Sequence, residues 1–502
     1  MSTSPFTQSS QPSQSPLFSN FLEPTPATCL IDGHWQAAAS GRALAMRSPV
    51  DGGTLGRISR GEAADIDAAV ASARRALAGP WGRTPAAQRG RLLGALAQKV
   101  LEHLEGLADL EARDTGKPIG NARTDMRVLA RYLEFYAGAA DKVHGDVIPF
   151  EVGYHVSVER VPLGVTAHII PWNYPAQMFG RSIGPALAMG NAVVMKPSED
   201  ACLSCLAVAE LARQVGFPAG TVNIVTGLGE EAGAALAAHR DVNLVTFTGS
   251  AEVGTLVQQA AAVHHVPVTL ELGGKSPQIV FADADLDAAA ASVVRAGVQN
   301  AGQTCSAGSR VLVQREIWDD FIARVGTRLQ ALRVAVPAED GDLGPVINAR
   351  QRERVQRYID QARADGLPVL AETPMSASLP EGGHWVAPIL FGPVPADHRL
   401  ACEEIFGPVL SAMPFDDEAE ALRLANGTDY GLVAAVWTRD GARQDRLARD
   451  VLAGQFFVNC YGAGGGVELP FGGMKHSGHG REKGFVALEA FSTTKTVVRF
   501  HG

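Results

Sequence analysis

Between residues 164 and 281, short apolar segments alternate with helical ones. The strand-like segments are GVTAHII (164–170), NAVVMKP (191–197), TVNIVTG (221–227), VNLVTFTG (242–249), VPVTLEL (266–272) and PQIVF (277–281). Between them, EEAGAALAAH (230–239) and SAEVGTLVQQAAAVH (250–264) read as helices. This alternation predicts an α/β fold whose parallel sheet is covered by helices and binds ligands at the carboxyl ends of its strands.

A second alternating region follows residue 305 and predicts a second sheet. Its segments are SRVLVQ (309–314), a helix-like stretch over 316–333, GPVLSAMPF (407–415), AAVWT (434–438) and GQFFVN (454–459). Upstream, alanine-rich and leucine-rich patterns predict helices over 62–78 and 88–114. HVSVE (155–159) and STTKTVVRF (492–500) alternate as strands, and they could form an arm that pairs with a neighbour's sheet edge.

The composition excludes several classes of protein. The 502 residues carry a formal net charge of −9, so nucleic-acid binding is not expected. No apolar run reaches membrane-spanning length, so no membrane association is expected. Residues 1–26, rich in Ser, Gln and Pro, lack the basic start of a secretory signal and are predicted to be a disordered tail. Six cysteines favour reduced thiols and a cytoplasmic location, and no His or Cys spacing favours a metal site.

Two reactive side chains are candidates for catalysis. Cys305 lies in NAGQTCSAGSR (300–310) among small residues that leave a thiol accessible, although a lone cysteine is more often structural. Glu271 lies in VTLELGGKSP (268–277), at the end of a strand and before two glycines. A carboxylate there can move toward a substrate, and its apolar neighbours would raise its pKa toward that of a general base. By itself, the motif also fits a surface glutamate before a turn.

Polar residues follow two other strands. Asn173, in HIIPWNYP (168–175), is an amide in a stiff turn and a candidate oxyanion donor, or else a helix cap. Lys196 and Glu199, in MKPSED (195–200), leave a strand three residues apart and could hold ribose hydroxyls. GLGEEA (227–232) fits G-x-G-x-x-A after a strand, which is a weak signal alone.

Four motifs, in this order, resemble those of the aldehyde dehydrogenase superfamily: ELGGK (271–275), GQTC (302–305), EEIFGP (403–408) and PFGG (470–473). The interval of 34 residues between Glu271 and Cys305 also resembles the family pattern. The resemblance covers nearly all of the chain beyond about residue 25. It implies a Rossmann-type cofactor domain, an α/β catalytic domain and a β-strand oligomerisation arm.

The resemblance also implies domain limits and an assembly. The NAD-binding domain would comprise 27–143 and 163–274, and the catalytic domain 275–483. The arm would comprise 144–162 and 484–502, and a homodimer or homotetramer would form through it.

The resemblance further implies a reaction. Cys305 would attack the aldehyde carbon, and the Asn173 amide with the Cys305 backbone N–H would hold the oxyanion. Hydride transfer to NAD would leave a thioester, and Glu271 would activate water to hydrolyse it.

For the cofactor, Lys196 and Glu199 match residues that hold the adenosine ribose. A carboxylate there favours NAD over NADP, because it would repel a 2′-phosphate. Further implied contacts are Glu404 with the nicotinamide ribose, Phe406 beside the nicotinamide, and Gln351, Ser250, Gly229, Ile169, Trp172 and Leu272.

The substrate is less sharply indicated. ELGGKSP and WNYP resemble the betaine-aldehyde branch, whereas Arg181 matches an arginine of the succinate-semialdehyde branch that can hold a carboxylate. An acidic or polar aldehyde is therefore one hypothesis, with Arg181, Tyr174 and Gln177 as substrate contacts. The alternative is that Arg181 makes an ordinary salt bridge or lines an interface.

Three rival functions stay open at this point. A coenzyme-A-acylating semialdehyde dehydrogenase would share the thiol but typically lacks the base, which Glu271 supplies. A non-catalytic structural protein of the same fold would have lost Cys305, Glu271 or Asn173, and all three are present. A thiol hydrolase would have no use for Lys196 and Glu199.

Overall fold

The structure of the chain, a computed structural model, describes residues 27–462 and 466–502, so the predicted tail at 1–26 lies outside the described residues. The strands are β1 Cys29–Ile31, β2 His34–Gln36, β3 Ala43–Arg47, β4 Thr54–Ser59, β5 Asp146–Ile148, β6 Tyr154–Pro162, β7 Val165–Ile169, β8 Ala192–Lys196, β9 Val222–Ile224, β10 Leu244–Thr248, β11 Val268–Glu271, β12 Pro277–Val280, β13 Arg310–Gln314, β14 Val369–Glu372, β15 Ile389–Phe391, β16 Val409–Phe415, β17 Tyr430–Gly431, β18 Val433–Trp437, β19 Gln455–Val458, β20 Met474–Lys475, β21 Gly478–His479 and β22 Ser492–Phe500.

The α-helices are α1 Ala63–Ala78, α2 Ala86–Glu102, α3 Leu104–Thr115, α4 Ile119–Ala139, α5 Pro175–Met178, α6 Gly184–Ala188, α7 Leu203–Gln214, α8 Ala234–Ala237, α9 Ala251–Ala262, α10 Leu286–Val298, α11 Trp318–Gln330, α12 Ala349–Ala364, α13 Arg399–Cys402, α14 Glu418–Asn426, α15 Gly441–Asp450 and α16 Val486–Ala490. Short π-helical turns occupy Phe179–Ile183 and Gly229–Gly233. Across 27–462 and 466–502, no helix is both long and apolar enough to cross a membrane.

The first sheet contains the strands predicted between residues 164 and 272. Its order is β2-β1-β9-β8-β7-β10-β11-β21, and the five strands from β9 to β11 are parallel. All residues of β7 and β8 are buried, as expected for strands covered on both faces. The chain runs from β7 to β8 and β9 on one side, then returns to add β10 and β11 on the other. A ligand crevice therefore opens beside β7, at the carboxyl ends of the strands.

The second sheet has the order β14-β15-β16-β13-β12-β18-β19 and is parallel except at the β14 edge. Its faces pack into separate apolar clusters, one around Leu312 and Val436 and the other around Val311 and Leu410. The helices that cover it therefore bury both faces of the sheet. Two parallel sheets covered by helices confirm the α/β fold class predicted from the sequence.

Two further features arise from the end of the chain. Strand β21 adds to the first sheet antiparallel to β11, with Gly478 opposite Glu271. Strand β22 pairs antiparallel with β6 from Ser492 opposite Pro162 to Phe500 opposite Tyr154, and β5 completes this three-stranded sheet. The chain thus returns from the second sheet to the crevice of the first.

Candidate active site

One cavity of about 1100 Å³ lies at the carboxyl ends of β7, β8, β10 and β11 and faces the loop that carries Cys305. The predicted site residues that it brings together are up to 237 positions apart, from Ile169 to Phe406. The predicted site residues that line it are Ile169, Trp172, Asn173, Tyr174, Gln177, Arg181, Lys196, Glu199, Gly229, Ser250, Glu271, Cys305, Gln351, Glu404 and Phe406. Leu272 is buried but is not among the described lining residues, and its amide donates to the carbonyl of Ser477 at 3.0 Å.

The loop before Cys305 has an unusual backbone. Asn300, Ala301 and Gly302 have φ of 52°, 55° and 72°, a left-handed run that persists only where neighbouring groups hold it. Gln303 supplies such contacts, because its side chain accepts from the amide of Ile347 at 2.8 Å and donates to the carbonyl of Asn300 at 3.0 Å. The loop therefore presents Cys305 at a fixed place on the cavity wall.

The Cys305 thiol is half-buried and opens to the cavity, which agrees with the expected access. Its ionisation could not be inferred from accessibility. Burial raises the pKa of Cys305 to about 11, and the Arg181 guanidinium acts in the opposite direction but does not offset the burial. The thiol is therefore protonated at neutral pH in this conformation, and its attack on a substrate requires loss of the proton.

Glu271 is the last residue of β11 and is 2% exposed. Neither carboxylate oxygen has a hydrogen-bond partner among the described residues, and the nearest cation is Arg181, whose Nη2 lies 3.8 Å from Oε2. Burial, followed by the nearby Glu482 carboxylate, raises the pKa of Glu271 well above its ordinary value. A buried carboxyl with no hydrogen bond to hold it combines basicity with freedom to move.

Gly273 and Gly274 are required by close contacts rather than by a turn. A Cβ at position 273 would lie 2.4 Å from Oε2 of Glu404, and one at position 274 would lie 2.5 Å from the carbonyl oxygen of Cys305. The amide of Gly274 donates to Oε1 of Glu404 at 2.9 Å. The two glycines therefore let the end of β11 approach both the cysteine loop and Glu404.

Asn173 follows β7 and is buried beside the cysteine loop. Its Nδ2 donates to the carbonyl of Gln303 at 2.9 Å, two residues before Cys305. An amide nitrogen carries two hydrogens, so one bond of this kind leaves a second donor. The geometry favours an amide directed at the cysteine loop over a helix cap, because Tyr174 precedes α5 without a capping side-chain bond.

The predicted ribose-binding pair lies at the end of β8. Nζ of Lys196 donates to Oε2 of Glu199 at 2.6 Å, and both side chains line the cavity. Nearby, Gly229 has open space where a Cβ would be, and Ser250 caps the twelve-residue α9 by accepting from the amide of Val253 at 3.3 Å. A carboxylate, an ammonium and a helix N-terminus along one open wall fit the ribose and phosphates of a dinucleotide.

The predicted nicotinamide contacts Glu404 and Phe406 line the cavity together with Gln351. Burial raises the pKa of Glu404 to about 7, and its bond to the Gly274 amide acts in the opposite direction. Phe406 has a φ of 60°, and its ring meets that of Trp172 edge to face with centroids 5.4 Å apart. Gln351 donates to the carbonyl of Phe406 at 2.7 Å. Gln351 therefore also holds the loop that carries Phe406.

The remaining predicted contacts lie at the other end of the cavity. Tyr174 shares a hydrogen bond of 2.8 Å with Thr304, and Gln177 donates to Asp125 at 2.6 Å. Arg181 is ion-paired with Glu482 as well as Glu271, and its guanidinium carbon lies 4.3 Å from the centroid of the Phe471 ring.

Glu482 is the last residue of the Gly-rich segment LPFGGMKHSGHGRE (469–482), was not among the predicted site residues, and is buried beside Arg181. Lys117 and Asp125, which line the cavity from the N-terminal helices, were not predicted either. Asp125 lies within a helical pattern, where a charged residue usually marks a solvated face, and Lys117 lies in the Gly-Lys-Pro corner between two helices, which carries no signal of a site.

Comparison with known proteins agrees with this geometry. The model of the aldehyde dehydrogenase family matches residues 35–497. Human mitochondrial aldehyde dehydrogenase is 41% identical over 472 residues, 93% of this chain and 90% of that protein. A point mutant of Staphylococcus aureus betaine aldehyde dehydrogenase, crystallised with NAD+, is 36% identical with a TM-score of 0.91, covering 94% of this chain and 97% of that one.

PnpE of Pseudomonas sp. WBC-3, crystallised with nicotinamide adenine dinucleotide, is 40% identical with a TM-score of 0.91 and the same coverage. The family model therefore spans all but the first and last few described residues, and the relatives cover 93–94% of the chain. The chain belongs to the aldehyde dehydrogenase family, whose members oxidise aldehydes to carboxylic acids with a nicotinamide dinucleotide as hydride acceptor.

Proposed function

We propose that Cys305, Asn173 and Glu271 carry out NAD-linked oxidation of an aldehyde in this chain. The observation that carries the proposal is that all three side chains open into one cavity, whose far wall is lined by Lys196, Glu199 and Ser250. The reaction requires a thiol, a base and a surface that binds the dinucleotide, all within one cavity.

In the first step, the Cys305 thiol loses its proton to water in the open cavity, and the sulfur bonds to the aldehyde carbon as the carbonyl π electrons move onto the oxygen, which gives a thiohemiacetal. The charge that develops on the aldehyde oxygen is met by the second N–H of the Asn173 amide and by the backbone N–H of Cys305. Such donors stabilise the transition state because they are already oriented and need no reorganisation.

NAD, when bound, supplies the acceptor for the hydride whose loss turns the thiohemiacetal into a thioester. Lys196 and Glu199 would hold the adenosine ribose, and Glu404 the nicotinamide ribose. The Glu199 carboxylate would repel a 2′-phosphate, so NAD is preferred to NADP. Residues 27–143 and 163–274 would form the domain that binds the cofactor, with 275–483 as the catalytic domain.

Glu271 then removes a proton from the water that attacks the thioester, which releases the acid and restores the thiol. This base favours hydrolysis over transfer to coenzyme A. An assay of the purified chain with aldehyde, NAD and coenzyme A tests the choice, with free acid as the expected product. Acyl-coenzyme A as the main product would contradict it.

We further propose that the aldehyde has an acidic or polar tail that reaches Arg181. The R181M/E482Q variant removes both partners of the Arg181–Glu482 ion pair, so the net charge of the site is unchanged. Glu271 loses its contact with Arg181 and, at the same time, the repulsion from Glu482. We expect kcat/KM for succinate semialdehyde to fall about 10- to 100-fold, the range of one charge-assisted hydrogen bond. A neutral aldehyde of equal length should change about 3-fold or less, because it does not use that bond.

The ratio between the two aldehydes is the quantity to measure, since any effect on Glu271 is common to both. R123M, which removes an exposed arginine paired with Glu105 at 2.9 Å, is the matched control. An unchanged ratio in R181M/E482Q would end the acidic-tail proposal and leave the salt bridge as the role of Arg181. The same assay with NADP in place of NAD measures the cofactor preference.

We also propose that the arm, 144–162 and 484–502, joins copies of the chain into a homodimer or homotetramer. The arm carries exposed apolar side chains, with Val147, Phe150 and Phe500 each more than 60% exposed. Sedimentation velocity should give a mass above one chain, and V498E/F500E should lower it. A wild-type chain that sediments as a monomer at micromolar concentration would refute this assembly.

A further inference from the structure

Lys117 is a buried lysine between two helices. Gly116, with a φ of 79°, ends α3 in the left-handed conformation, and Pro118 precedes α4. This tight corner directs the Lys117 side chain inward, where the residue is 2% exposed. Burial lowers the pKa of Lys117, but attraction to Asp125 and Glu111 outweighs it, so the net pKa is raised and the side chain is a cation at neutral pH.

The ammonium group has three hydrogens and three acceptors. Nζ donates to Oε1 of Glu111 at 2.9 Å, to Oδ2 of Asp125 at 2.5 Å, and to the main-chain carbonyl of Asn173 at 3.1 Å. The two carboxylates come from α3 and α4, whereas Asn173 belongs to the loop after β7. Lys117 therefore connects the N-terminal helices to the residue assigned to the oxyanion.

The Asn173 carbonyl is held from a second direction. Nδ2 of Asn300 donates to it at 3.1 Å, and Asn300 is part of the left-handed run that precedes Cys305. The Asn173 side chain in turn donates to Gln303. The main chain and the side chain of Asn173 are thus both tied to the cysteine loop, and Lys117 is the charged member of the arrangement.

The stability of the fold does not explain why an ion cluster is buried at this position. Two carboxylates and an ammonium must lose their hydration on burial, and apolar side chains of similar volume are often as stable or more so. A buried ion cluster does fix geometry, because its short charge-assisted bonds hold the groups that share them in one orientation. The group fixed here is the peptide of Asn173.

We propose that Lys117, held by Glu111 and Asp125, is a positioning residue that orients the Asn173 amide toward the aldehyde oxygen. The inference rests on the proposed function, in which Asn173 stabilises the oxyanion. Lys117 touches the Asn173 main chain and acts on the reaction through Asn173. A displacement of about 1 Å in such a donor can cost about 100-fold in rate.

A double-mutant cycle tests this. K117Q/D125N removes one cation and one carboxylate, so the net charge of the cluster is unchanged. With Asn173 present, we expect kcat to fall about 10-fold or more while KM changes about 3-fold or less, since the donor acts in the transition state. In the N173A background, the same pair of substitutions should change kcat by about 2-fold or less, because the residue it orients has gone.

The control is K99Q, which removes an exposed lysine paired with Glu102 at 2.6 Å and should leave kcat unchanged in both backgrounds. If K117Q/D125N fails to fold, K117R keeps the cation and takes its place in the same cycle, with a smaller loss that again requires Asn173. An equal loss of kcat with and without Asn173 would show a structural role only and overturn the proposal. Full activity of N173A would instead overturn the oxyanion assignment itself.

Discussion

Replacement of Cys305 by alanine is expected to lower kcat for aldehyde oxidation about 10⁴-fold or more, because no other described residue that lines the cavity carries a thiol to form the thiohemiacetal. Loss of the half-buried sulfur removes little packing, so the fold should persist. The loss should therefore appear at every aldehyde and every NAD concentration. Initial rates of NADH formation, with the melting temperature of the same sample, measure it.

The matched control is C460A, since Cys460 is exposed and is not among the described lining residues. It should keep the parent rate. A thiol reagent should inactivate the parent enzyme and C460A alike, and saturating NAD with a slow aldehyde should protect both. Oxidation by C305A at the parent rate would remove the thiol from the mechanism.

Replacement of Glu271 by glutamine is expected to separate the two halves of the reaction. The thioester should still form, so that about one equivalent of NADH appears rapidly, while steady-state turnover falls about 10²- to 10⁴-fold for lack of a general base. Glutamine has nearly the same shape, and Glu271 makes no hydrogen bond with the described residues that the amide would break. Rapid-mixing absorbance at the NADH band gives the burst and the slow phase together.

The pH dependence of steady-state turnover tests the role of Glu271 as a base independently. Burial and Glu482 raise the pKa of Glu271, and only the ionised carboxylate is a base. Steady-state turnover should therefore rise with pH well above the range in which an ordinary glutamate titrates, and this limb should be absent from E271Q. As a control, E105Q replaces an exposed glutamate and should keep both the parent turnover rate and its rise with pH. A normal steady-state rate in E271Q, with no burst, would contradict the assignment.

Much of the fold could be predicted because the signals are local. The alternation of apolar segments with alanine-rich ones between residues 164 and 281 places β7 to β12 within a few residues of their observed bounds. The predicted residues follow the ends of these strands. They come together in the structure because the carboxyl ends of parallel strands meet at one edge of the sheet. Lys196 and Glu199, three residues apart after β8, pair directly in the structure.

The ionisation of the site could not be predicted in the same way. Small neighbours around Cys305 suggested an accessible thiol, which the structure has, but its raised pKa follows from burial by residues distant in sequence. The apolar neighbours of Glu271 suggested the right direction of its pKa shift, whereas Glu482 contributes through a contact across 211 residues.

The α/β class, the family and the candidates Cys305, Glu271 and Asn173 follow from the amino-acid sequence, since periodicity and motif spacing are properties of neighbouring residues. The charges that meet in the site are known only from the folded chain. Pairing of Gly478 with Glu271 brings Glu482 to Arg181, and the corner at Gly116 brings Lys117 to Asn173. Such contacts depend on the register and packing of distant elements, and the energy of a buried charge depends on the full set of groups around it.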